Sequence, residues 1–176
     1  MAADVMKVTR FGKSVPACAA FLAWTQGTLS EKLAAVREPC NPVERHFVLL
    51  SICTELYRRR HESPQIAALL VRYGRMHLAE LPLLLPELER NDRENRAARG
   101  GSPIEYSPPH VPTVDHLTMA LCEAGDYEGA RAAYREAVDA GYLDERALAH
   151  CDALVEKRRK RFAKAATAPR TPRKPV

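Results

Sequence analysis

The stretch LCEAGDYEGARAAYREAVDAGY, residues 121–142, sets small and aromatic side chains at helical spacing around a central Gly125-Asp126-Tyr127. Asp126 is a natural N-cap, because its side-chain oxygen can take a backbone N–H that the first helical turn leaves without a partner. After it, Tyr127, Ala130, Tyr134, Ala137 and Val138 fall on one helix face, and Gly141 stands where a left-handed terminator belongs. Upstream, Val114, Leu117, Thr118 and Leu121 share a face of a helix that Thr113 can cap and Gly125 ends. Downstream, Asp144 can cap a third helix lined by Ala147, Leu148, Cys151, Leu154 and Val155. Helices of about a dozen residues joined by so short a turn lie antiparallel. Ala130 and Ala137 are small enough for the axes to come close, while Tyr127 and Tyr134 fill the space toward the neighbouring helix.

The same punctuation recurs toward the N-terminus. Asn41-Pro42-Val43-Glu44 combines an N-cap, a proline whose missing N–H costs nothing at the first helical position, and Glu three residues after the cap. The helix it opens runs to about Arg60, with Leu49, Ile52, Cys53 and Leu56 as its stripe and Phe47, Leu50 and Tyr57 widening it. Arg58, Arg59 and Arg60 lie in the last turn, where cations complement the helix dipole. Ser63-Pro64 restarts a helix to about Glu80, with Ile66, Leu69, Leu70, Tyr73 and His77 along one face. Pro82 and Pro86 predict a short distorted helix, and residues 91–112, charged, glycine-rich and then rich in proline, predict a long connection. Before Asn41, Pro16 can start a short helix to about Trp24, and Thr28 with Glu31 forms a capping box for a second that ends before Pro39.

These signals define an all-α chain of antiparallel helical hairpins, arranged either as a regular helical array or as an irregular helical bundle. The expected organisation is an N-terminal helical segment over residues 1–40, a first hairpin over 41–90, the connection over 91–112, a second hairpin with a capping helix over 113–163, and a disordered basic tail over 164–176.

Residues 112–145 resemble the tetratricopeptide repeat: Leu117 and Leu121 in the first helix, Gly125-Asp126-Tyr127 at the turn, then Ala130, Tyr134 and Ala137 in the second. The chain departs from that pattern at Val114, Thr118 and Tyr142, and Tyr73, Met76 and Pro82 follow it loosely in the first half. The stretch also has the rhythm of a pentatricopeptide repeat, a family that reads RNA one base per repeat and so needs more than one unit. The tetratricopeptide resemblance implies a right-handed helical array and a non-enzymatic adaptor whose concave surface holds a protein or peptide. Its ligand-facing positions fall on Asp115, Met119, Cys122 and Glu123. The family's clamp for a terminal carboxylate uses Lys, Arg and Asn there, and none is present. The two acids around a soft apolar patch lead to the expectation of a basic or apolar segment.

The net charge of +5 conceals two regions. Nine of the 27 basic residues and none of the 22 acidic ones lie after Glu156, so residues 1–156 are mildly acidic and the C-terminus is strongly basic. The competing function is therefore sequence-nonspecific nucleic-acid binding through Lys157, Arg158, Arg159, Lys160, Arg161 and Lys164. Only Phe162 interrupts that run, so there is no aromatic platform for bases. The five cysteines form no CxxC, and the six histidines are scattered, which implies no metal site, no disulfide framework and no cofactor. No phosphate-binding glycine loop, nucleophile elbow or HExxH appears, and catalysis is not expected. VPACAAFLAW, residues 15–24, is too short to span a bilayer, so the expectation is a cytoplasmic protein with no membrane partner.

Overall fold

The computed structural model describes residues 6–102 and 104–167, with side chains through Lys164. Among them are a two-stranded hairpin, β1 (Lys7–Arg10) and β2 (Lys13–Pro16), and seven helices. The helices are α1 (Ala19–Gln26), α2 (Leu29–Ala35), α3 (Pro42–Arg59), α4 (Pro64–Ala98), α5 (Thr113–Glu123), α6 (Tyr127–Asp139) and α7 (Arg146–Thr167). Residues 168–176, the rest of the expected tail, lie outside the described residues.

Most caps form as the sequence dictates. Asn41, Ser63 and Asp126 accept the backbone N–H groups of Glu44, Ile66 and Gly129. Asp144 takes those of Arg146 and Ala147, and Thr28 and Glu31 bond reciprocally as a capping box. Gly125, with φ +81°, makes the left-handed turn between α5 and α6 that a side chain would strain.

Side-chain pairs fix the direction of each helix. His46–His77 and Arg45–Glu80 set α3 antiparallel to α4, and Arg131–Asp152 with Arg135–Glu145 does the same for α6 and α7. Tyr57–His116 and Arg60–Glu123 set α5 parallel to α3. The result is two layers: α3, α5 and α7 run one way on one side, and α4 and α6 run the other way behind them. Two apolar clusters fill the space between, one around Leu49, Ile52, Leu56 and Leu70, the other around Leu78, Leu81, Leu117 and Ala137. Gly74 brings α4 close to α5, so that a Cβ there would sit 3.2 Å from the Leu117 side chain.

Three boundaries depart from the sequence expectation. The helix expected to stop near Glu80 continues to Ala98 with both prolines inside it. Pro82 and Pro86 are both exposed, so their rings stand on the solvent side of the helix and leave its core-facing side undisturbed. Leu81, Leu84 and Leu88 stay buried on the other side. The charged run beyond is helix laced by Arg90–Glu87, Arg93–Glu89 and Arg96–Asp92 pairs, leaving 99–112 as the connection. The N-terminal segment is not wholly helical: Phe11 (φ +48°) and Gly12 (φ +70°) form the turn of the hairpin. Its backbone N–H groups are accepted by Asn91 and Asn95 of α4, and Arg90 lies 4.5 Å from the Phe11 ring centroid. At the other end, Ala165–Thr167 continue α7 where the tail was expected to be disordered.

Candidate functional site

The three parallel helices form a face with α5 as its floor, α3 as one wall and α7 as the other. On α5, the 100° step per residue leaves Asp115, His116, Met119 and Glu123 on the outer side, while Leu117 and Leu121 point into the core. Asp115 and Glu123 are exposed and Met119 half-buried, so three of the four expected groove residues share this surface. Cys122 does not. It is buried in the cluster that includes Cys151 and Val155 beneath α7, and burial pushes its thiol up, against the charges of Arg158 and Arg131. The tetratricopeptide resemblance implied Cys122 on the floor; the close approach of α7 buries it instead.

At the N-terminal end of this face a cleft of about 600 Å³ opens between α5, the α6–α7 turn and α7. Asp115, Tyr134, Tyr142, Arg146, Ala147 and His150 line it, together with His110 and Val111 of the connection. The Tyr134 hydroxyl donates to Asp115 Oδ1 at 2.8 Å, and burial together with that carboxylate raises the phenol above its ordinary range. The Tyr142 hydroxyl accepts the Val111 backbone N–H at 2.6 Å, which ties the connection to the cleft wall.

Along the α3 side of this face the composition changes. Both oxygens of Glu123 accept from the Arg60 guanidinium at 3.0 Å, and that guanidinium lies 4.0 Å from the Tyr57 ring centroid. Tyr57 stacks on His116, with centroids 4.0 Å apart and planes 7° from parallel. Burial lowers the His116 pKa, Asp115 opposes it, and Arg60, Arg58 and His110 add to the lowering, so all of these charges reach the same ring. Arg58 is exposed. Sequence patterning could not have found this stack: Tyr57 looked like the edge of the α3 apolar stripe, and its partner is 59 positions away.

The expected basic residues divide by helical phase. Arg158 and Phe162 turn inward, following Cys151 and Val155, whereas Lys157, Arg159, Lys160, Arg161 and Lys164 are exposed along α7. Arg159 approaches Glu156 at 3.7 Å.

A separate polar line lies in the interior. His77 Nδ1 is 2.9 Å from Thr113 Oγ1, and His77 Nε2 is 3.1 Å from His46 Nδ1, with all three residues fully buried. Thr113 therefore spends its hydroxyl on His77 and not on capping α5. It also bonds the Cys53 thiol, whose pKa burial pushes up to about 12. Among the described residues, no group of three His, Cys, Asp or Glu side chains could hold a metal ion, and no helix is long and apolar enough to cross a membrane.

Comparison with family models, with curated proteins and with solved structures finds no match.

Proposed function

We propose that the protein is a non-enzymatic adaptor of tetratricopeptide type that receives a peptide segment of a protein partner on the α3–α5–α7 face. One observation carries this reading: the cleft of about 600 Å³ walled by Asp115 lies at one end of a helical floor on which Met119 and Glu123 are also outward. A cleft of that size accepts a few side chains and not a whole domain surface. Supporting it, the order of the helices in two layers is that of stacked hairpins, in which each unit buries its apolar side against the next. The test is capture of partners by the intact protein and by a variant with Asp115, Met119 and Glu123 changed together to Ala. Loss of a partner in the variant is the expected outcome. Equal recovery of every partner would remove the groove from the account.

A further inference from the structure

The α7 side that borders the cleft continues down the helix as a line of cations. Arg146 and His150 line the cleft. At 100° per residue, Lys157, Arg161 and Lys164 return to within about 60° of Arg146, so they extend the same wall. Across the floor, Arg58 is exposed on α3, and Arg60 neutralises Glu123. Of the two floor acids that pointed toward a basic ligand, one is therefore already satisfied by two charge-assisted hydrogen bonds. The other, Asp115, sits at the far end and accepts from Tyr134.

We infer that this face binds an extended acidic peptide, with its carboxylates between Arg58 on one wall and Lys157 and Arg161 on the other, and an apolar side chain over Met119. The inference rests on the adaptor reading and names the chemistry of the partner. From Arg146 to Lys164 the wall is roughly 27 Å long, enough for about eight residues of extended chain. A polynucleotide fits less well. Its charge is uniform along its length, and the stretch entering the cleft would meet Asp115 and Asp144, whereas a peptide can carry its acids at one end only.

The experiment is selection of a phage-displayed library of random dodecapeptides on the full-length protein, followed by titration of a synthetic winner. Winners should be enriched in Asp and Glu with at least one large apolar residue. At about 50 mM salt the winner should bind K157E/R161E at least tenfold more weakly than the intact protein, and the difference should shrink as salt rises. K13E/R93E makes the same change in net charge on the hairpin and the far half of α4, and should bind normally. Both variants alter exposed positions, and unchanged helicity by circular dichroism keeps the comparison valid. Winners rich in Lys and Arg, or indifferent to K157E/R161E, would overturn the acidic assignment and leave the adaptor standing. No enriched peptide at all would overturn both. Displacement of the winner by a twenty-nucleotide oligothymidine at lower concentration than by unlabelled peptide would give the face to nucleic acid instead.

Discussion

Where α5 meets α6 the contact is made of methyl groups: Ala130, Ala133 and Ala137 are all fully buried, and Tyr134 keeps its hydroxyl at the rim for Asp115. Where α3 meets α4 and α5 the contact includes a line of hydrogen-bonding groups, Cys53, Thr113, His77 and His46, enclosed just as completely. Both junctions hold helices together, but they are specified by different quantities. The first depends on volume, since closely approaching axes leave no room for extra carbons. The second depends on which ring nitrogens of His77 and His46 carry protons along that line, which ends at the buried, unpartnered His46 Nε2, and so on protonation.

Three measurements separate the two. His77→Ala removes the central member of the polar line, leaving the Thr113 hydroxyl and His46 Nδ1 without that partner beside a new cavity; the expected loss is about 3–5 kcal/mol in denaturant unfolding. A loss under about 1 kcal/mol would mean that the line does not specify the junction. Second, stability should fall on acidification. Burial holds His46 at about 4, and burial together with the charge of His46 holds His77 at about 3, against an ordinary 6.5. A base depressed by folding takes its proton more readily in the unfolded chain, so stability is complete above pH 6.5 and is lost as pH falls from there toward the folded values. Between pH 7 and pH 5 the expected decrease is about 2–4 kcal/mol, and His46→Gln with His77→Gln should flatten the profile. An unchanged slope in that double variant would place the pH dependence elsewhere. Third, Ala130→Leu or Ala137→Leu should each cost about 1–3 kcal/mol, with the same pH profile as the parent. Parental melting would show that the α5–α6 crossing has slack.

The α5–α6 junction was legible because its rules are local: Asp126, Gly125, the alanines and the tyrosines all lie within about twenty positions. The caps at Thr28, Asn41, Ser63 and Asp144 were legible for the same reason. The polar line was not, since His46, His77 and Thr113 are joined only when three helices meet, and each taken singly reads as an ordinary helical residue. Pro82 and Pro86 misled because helix propensity counts their cost and cannot see that both fall on the solvent side while Leu81, Leu84 and Leu88 are gripped by the core. At the candidate site, Asp115, Met119 and Glu123 followed from the tetratricopeptide resemblance, and the structure leaves all three on the outer side of α5. The Arg60 partner of Glu123 and the burial of Cys122 required knowing which helices lie alongside.

The docking of the Phe11–Gly12 turn on Asn91 and Asn95 has a consequence in time. These contacts span 80 and 83 positions, the longest separations among the side-chain hydrogen bonds described here. Loop closure over such a distance makes them slow to form relative to the helical turns. Strands β1 and β2 leave the ribosome before α4 and are thus obliged to wait for its end, a delay of about 4–17 seconds at ordinary rates of synthesis. During that interval Met6, Val8 and Val15 belong to a segment without its acceptors. In pulse-labelled hydrogen exchange on a refolding chain, the amides of Phe11 and Gly12 would gain protection last, after those of α5 and α6.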